Sequence, residues 1–320
     1  MLGRLRIKMV LPLISTVRPW HLNLSSSKNM LKKGLLSARA MSGMVDYKFE
    51  TLKVTSPGEF IKQVELNRPE KRNAMNTAFW KEIITCFNQL AVDQDCRVVI
   101  LSGSGKMYTA GLDLMDNEVF TKLMAHSGDV GRKAFLISES LQSLQDSFNV
   151  IERCPKPVIA AVHNACIGGG VDMISACDIR YCTQDAWFQI KEIDLGLAAD
   201  LGTLQRFPKI IGNDSLFREL TYTARKFVAD EAKSMGFVSR ILPDKDALEQ
   251  AAVELAKVIA SKSPIGVQGS KVNIVYSRDH GVEQGLNYMK AWNAAMLQSE
   301  DLTKALTAAV QKAEPVFSKL

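Results

Sequence analysis

Two kinds of group in this chain can do chemistry together, and most of them fall within one stretch. Asn164-Ala165-Cys166-Ile167-Gly168-Gly169-Gly170-Val171-Asp172 places a glycine triplet after an apolar run, with a carboxyl close behind it. Glu192 and Asp200 follow in sequence that is otherwise strongly hydrophobic. A second glycine-bearing turn lies upstream at Ala110-Gly111-Leu112 and continues into Asp113 and Leu114. Glycine lets a backbone turn tightly and expose its N–H groups. A carboxyl in apolar surroundings holds its proton more firmly, which suits proton transfer. If the two turns meet, two N–H groups can surround one oxygen and stabilise an enolate formed from a thioester. Two carboxyls at different distances along a bound chain can then move a proton from one carbon to another.

Plainer readings stand beside these. The glycines also serve tight strand–helix packing, and Asp172 also serves as a carboxylate favoured by a helix N-terminus. Asp200 can be a surface-loop acid, but its neighbours are Ala198, Ala199, Leu201 and Gly202, an uncommon setting for a carboxylate without a role. The triplet is not a phosphate cradle, because neither GxGxxG nor GK[ST] follows with the required spacing. Cys86, Cys96, Cys154, Cys166, Cys177 and Cys182 form no CxxC pair, so they read as buried reduced thiols rather than metal ligands. His163 adjoins the glycine loop, and a hydrogen-bonded structural histidine outweighs a catalytic base there.

Several elements must position these groups. Glu59–Leu66 reads as a strand with Phe60, Val64 and Leu66 on one face, and Thr77–Val92 as an amphipathic helix. Arg97–Ser102 and Pro157–Val162 are short apolar runs that read as buried strands, each leading toward one of the glycine turns. Between them, residues 115–131 read as mixed and partly helical. Arg132–Arg153 reads as a long helix with a stripe of Ile137, Leu141, Leu144, Phe148 and Ile151, stopped by Pro155 and Pro157. A helix begins at Asp172, strands follow at Ile179–Cys182 and Trp187–Ile190, and helices at Thr203–Ile211 and Asp214–Ala224. From Asp246 onward the pattern is helical throughout, with stripes at Leu248, Ala252, Leu255 and Ile259, at Val282, Leu286 and Met289, and at Leu302, Leu306 and Val310. Strands alternating with helices, then a run of helices, indicate an α/β core over 46–245 and a helical portion over 246–320 that covers the core or mediates oligomer contacts.

Charge is unevenly placed. The net charge is +6, yet residues 1–45 hold eight Lys or Arg and no acid, so 6 − 8 leaves the remainder near −2. A basic nucleic-acid-binding body is therefore not indicated. No apolar run approaches the roughly 18 residues that span a bilayer. The cationic, acid-free segment 1–45 has the composition of a mitochondrial transit peptide, while the final Ser318-Lys319-Leu320 matches the address read by the peroxisomal import receptor.

The ordered set Asn67-Arg68-Pro69, Asn73-Ala74-Met75, Thr109-Ala110-Gly111-Leu112-Asp113-Leu114, Gly168–Gly170 and Gly202-Thr203-Leu204-Gln205-Arg206 resembles the enoyl-CoA hydratase/isomerase (crotonase) family over about residues 50–315. The resemblance implies a spiral of β-β-α units, with C-terminal helices that assemble trimers or hexamers. It implies that the N–H groups of Leu112 and Gly169 hold a thioester oxygen, that Ala110–Leu114 line an acyl-CoA site, and that the Asn67–Met75 loop borders the CoA channel. Hydratases of the family carry glutamates at the positions of Asp172 and Glu192 and a glycine at that of Asp200. The aspartates here point instead to conversion of a 3,5-dienoyl-CoA into a 2,4-dienoyl-CoA, with Glu192 and Asp200 moving a proton from C2 to C6 and Asp172 supporting them. Such chemistry calls for no metal or redox cofactor, since the conjugated thioester is the electron sink. Hydration of a 2-enoyl-CoA, and a non-catalytic or RNA-binding member of the fold, are the alternatives.

Overall fold

The computed structural model describes residues 46–117 and 128–320. The expected leader over 1–45 lies outside the described residues, as does most of the mixed stretch expected over 115–131. Strands β1 (Leu52–Gly58), β2 (Ile61–Leu66), β3 (Val98–Gly103), β4 (Val158–Val162), β6 (Ile179–Thr183) and β9 (Arg240–Leu242) form one sheet in the order β1-β2-β3-β4-β6-β9. The β1–β2 pair is antiparallel and every other pairing in this sheet is parallel. A smaller sheet holds β5 (Ala165–Ile167), β7 (Trp187–Gln189) and β8 (Phe227–Val228) in the order β5-β7-β8.

The spiral follows from these two layers. Each turn lays one strand in the large sheet and the next in the small one, as in β4 then β5 and β6 then β7, before a helix closes the unit. Parallel strands covered on both faces have no polar side, which is why β3 and β4 read as unbroken apolar runs. Val99 and Leu101 of β3, with Val158, Ala160 and Val162 of β4, pack with Ile83, Phe87 and Leu90 of helix α1 (Thr77–Val92). The alternate residues Val98, Ile100, Ile159 and Ala161 face the other way, onto Leu248, Ala252 and Ala256 of a later helix, Lys245–Ala260.

Three local expectations are corrected. Phe60 is not on the Val64–Leu66 face; its φ of 60° makes it the turn before β2, and it packs with the opposite cluster. The sequence reading missed β1, an edge strand whose Lys53, Ser56 and Pro57 leave it without an apolar pattern. Helix α2 (Val130–Arg153) begins two residues early and buries its stripe only at Phe148 and Ile151, with Leu144 packed beside them; Phe135 is 81% exposed.

The next helices are α3 (Gly169–Ser175), α4 (Thr203–Ile211), α5 (Asp214–Thr223), α6 (Ala229–Ser234) and α7, the Lys245–Ala260 helix. They are followed by α8 (Pro264–Arg278), α9 (Val282–Met296) and α10 (Glu300–Gln311). Helix does not continue to the end: Lys312 takes a left-handed φ of 52° and the tail returns to the body. There Arg97 donates to the carbonyls of Phe317 (2.8 Å) and Ser318 (3.2 Å), and Lys304 Nζ donates to Ser318 Oγ (2.8 Å). Of the three expected C-terminal stripes, that of α7 is largely buried. Those of α9 and α10 leave Leu286, Leu306 and Val310 facing outward.

Candidate active site

The two glycine turns meet in the small layer. Parallel bridges join Met75 to Leu112 and Thr109 to Cys166, so the upstream turn lies directly beside β5. Gly111, at φ 85°, is so close to the second turn that a Cβ on it would stand 2.7 Å from the Ile167 carbonyl. Gly170 is equally committed, since a Cβ there would stand 2.4 Å from Thr109 Cγ2. These contacts show close packing of the two turns, which leaves no room for a side chain at Gly111 or Gly170. Among the described residues, neither the Leu112 N–H nor the Gly169 N–H donates to a protein acceptor. Gly169 opens α3, where first-turn N–H groups lack helical partners and carry partial positive charge.

The upstream turn is latched by its neighbours. Met75 N donates to Gly111 O (2.8 Å) and Asp113 N to Met75 O (3.0 Å). Arg68 donates to Ala74 O (2.5 Å) and to Asp113 Oδ2 (3.0 Å). Burial opposes ionisation of Asp113, but Arg68 and the N–H groups of Met115 and Asp116 outweigh it and hold this carboxyl below the usual range. Asp113 is thus a latch for the loop. Ala110 is fixed by its N–H on Arg72 O (2.9 Å), whereas the Leu114 side chain is 58% exposed and away from the turn. His163 is structural, with Nε2 bonded to Gly105 O at 3.0 Å. All six cysteines are buried free thiols.

The three acids have unequal surroundings. Asp172, in the first turn of α3, is 1% exposed, and its Oδ1 accepts the Thr203 N–H at 2.6 Å. Its pKa is pushed up to about 6, first by burial and further by Asp200, against the lowering effect of Thr203 and Arg206. Glu192 starts a short 3₁₀ turn (Glu192–Leu195), and Oε1 lies against the triplet, 3.2 Å from where a Gly168 Cβ would be. Burial first, then the charge of Asp172, push its pKa up to about 7. Its other oxygen, Oε2, is buried with no hydrogen-bond partner among the described residues. Asp200 is half-buried, and burial raises its pKa above the ordinary aspartate value. Glu192 borders a largely apolar cavity of about 350 Å³ lined by Ile190, Leu197, Ala199, Leu204 and Phe217. Asp200 borders a separate, polar one of about 330 Å³.

Sequence reasoning singled out the carboxyls and missed what holds them. Gln145 Nε2 donates to Asp200 O at 2.8 Å. Arg206 is paired with Glu152 (3.1 Å) and Asn149 (2.6 Å), and Glu152 also accepts from Arg278. The available signal was the recurrence of Gln145, Asn149 and Glu152 at helical spacing on α2.

The chain belongs to the enoyl-CoA hydratase/isomerase family, whose model matches residues 58–319. It is 56% identical over 288 residues to the mitochondrial Delta(3,5)-Delta(2,4)-dienoyl-CoA isomerase of Mus musculus, covering 89% of this chain and 88% of that one. The peroxisomal Delta(3,5)-Delta(2,4)-dienoyl-CoA isomerase of Arabidopsis thaliana is 45% identical, over 80% of this chain and 91% of its own. Among solved structures, the enoyl-CoA hydratase of Bacillus anthracis superposes with a TM-score of 0.75 at 28% identity, over 84% of this chain and 99% of that one.

Proposed function

We propose that this chain is an isomerase that converts 3,5-dienoyl-CoA into 2,4-dienoyl-CoA. Its 56% identity to a dienoyl-CoA isomerase supports the reaction, and one observation carries the mechanism: Glu192 Oε1 lies against the turn that presents the Gly169 N–H. With the thioester oxygen between the N–H groups of Leu112 and Gly169, C2 is one bond from the carbon those donors polarise. Glu192, whose carboxyl lies against that turn, takes the C2 proton, through the oxygen that has no hydrogen-bond partner among the described residues. The C2–H electron pair passes into an extended dienolate whose charge rests on the thioester oxygen. Asp200, half-buried and held through its carbonyl by Gln145, delivers a proton to C6, and the double bonds settle at C2 and C4.

Asp172 supports this arrangement through its charge on Glu192 and its bond to Thr203. The thioester is the electron sink, so the step calls for no metal or redox group. The exposed Leu286, Leu306 and Val310 suit packing against further copies of the chain in a trimer or hexamer. The relatives' mitochondrial and peroxisomal names, with the segment 1–45 and Ser318-Lys319-Leu320, support residence in the mitochondrial matrix and the peroxisome. The test is direct. Purified protein given 3,5-octadienoyl-CoA should generate the conjugated 2,4-dienoyl thioester chromophore; no chromophore, alongside rapid hydration of a 2-enoyl-CoA, overturns the reading.

A further inference from the structure

The segment from Asp200 to Arg206 carries the C6 acid and the Thr203 N–H that holds Asp172, but only its last part, from Thr203, is helical. Its position is set from outside. Gln145 Nε2 donates to the Asp200 carbonyl at 2.8 Å. One helical turn along, Asn149 Oδ1 accepts from Arg206 Nη2 at 2.6 Å. Less than a turn further, Glu152 accepts from Arg206 Nε at 3.1 Å and Nη2 at 3.3 Å. Residues 145, 149 and 152 share one face of α2, so a single rigid helix grips the segment at both ends. Arg206 is more than a tether. Gly202 has φ 130°, and a Cβ there would stand 2.0 Å from Arg206 Nη1, so the guanidinium forms the floor of the turn between Asp200 and Thr203.

We infer that Gln145 is a positioning residue for protonation at C6, with Asn149 and Glu152 acting alongside it through Arg206: this polar face of α2 sets where the Asp200 carboxyl meets the substrate. The inference rests on the isomerase reading above. It separates two half-reactions that the site keeps apart. Glu192 lies against the Gly168 turn and is not on the gripped segment, so loosening the grip at its Asp200 end slows delivery of the proton from Asp200 to C6 more than it slows C2–H cleavage. A dienolate that waits longer for its C6 proton returns more often to substrate by taking a proton back at C2.

The experiment uses the full-length protein in deuterated water, with Gln145→Met removing the donor at nearly constant length and Gln145→Lys restoring one. Substrate recovered at partial conversion is analysed for deuterium at C2, beside kcat and KM. Displacing a reacting group by a fraction of its contact distance should lower kcat of Gln145→Met by on the order of 10- to 100-fold with KM within about twofold. The ratio of C2-deuterated substrate to product should rise, and Gln145→Lys should return both toward wild type. An unchanged ratio, or equal losses in both variants, overturns the inference. Should Gln145→Met not fold, Glu152→Gln keeps shape while removing the charge that holds Arg206, and the same rise in ratio is required of it. A wild-type protein that forms no 2,4-dienoyl chromophore overturns the isomerase reading itself, and this assignment with it.

Discussion

Asp172→Asn isolates the electrostatic part of the mechanism. Asparagine keeps an oxygen for the Thr203 N–H, which now reaches Asp172 Oδ1 at 2.6 Å, so the contact survives while the negative charge goes. Glu192 rises from an ordinary 4.5 to about 7, with burial the largest cause and the Asp172 charge the next. Removing the second of these should lower the pKa of Glu192, and each pH unit of that shift changes its ratio of ionised to protonated form about tenfold. The sign is fixed by its role. As the base, Glu192 must be unprotonated, so activity falls as pH drops through about 7. Without the neighbouring charge Glu192 ionises more readily, and this acid limb should move to lower pH. The assay is kcat/KM from about pH 5 to about pH 9, followed by the dienoyl chromophore, because kcat/KM reports groups of the free enzyme. A limb that stays in place, or moves to higher pH, refutes the claim that Asp172 acts on Glu192 through its charge.

Other substitutions test the parts separately. Glu192→Gln and Asp200→Asn should each lower kcat by about 10²–10⁴-fold with little change in melting temperature; wild-type turnover in either removes that residue from the proton path. Gly170→Ala forces a Cβ to within 2.4 Å of Thr109 Cγ2 and should destabilise the fold by about 1–3 kcal/mol in denaturant titrations; an unchanged midpoint would show that the loops part without strain. Residues appended after Leu320 should abolish peroxisomal import of a fluorescent fusion, and undiminished import would make Ser318-Lys319-Leu320 incidental.

The parts of this fold that were legible in sequence are those where burial dictates residue type. β3 and β4 are covered on both faces, so Val98–Leu101 and Val158–Val162 could hardly be anything but strands. Gly111 and Gly170 were legible as glycines with a purpose, because their turns demand them, although the contact between residues 111 and 167 is a tertiary fact that spacing does not carry. β1 was not legible, since an exposed edge strand has no apolar pattern to read. The stripes on α9 and α10 were visible, but their fate was not: periodicity marks an apolar face without saying whether the same chain covers it. The carboxyls were legible as types in an odd setting. Asp113 was equally visible, but its pairing with Arg68, 45 residues away, was not.

The distribution of roles over the chain has a physical logic. The proposed donors Leu112 and Gly169 sit beside the small layer, where bridges and close glycine contacts hold the two turns against each other. The proposed acid and base, Asp200 and Glu192, both sit on the connection between β7 and α4, where a four-residue 3₁₀ turn is the only regular structure. An oxyanion hole must be rigid to stabilise developing charge without reorganising. The carboxyls must instead match whichever carbons exchange protons. Placing them on a short connection lets a change at one position alter the reaction while the donor layer stays as it is. A glycine in place of Asp200 would leave the Gln145 bond to the residue 200 carbonyl available while deleting the proposed C6 acid, because that bond is made to backbone. On the proposed reading the grip from α2 therefore belongs to the scaffold, and the side chain at position 200 supplies the C6 step.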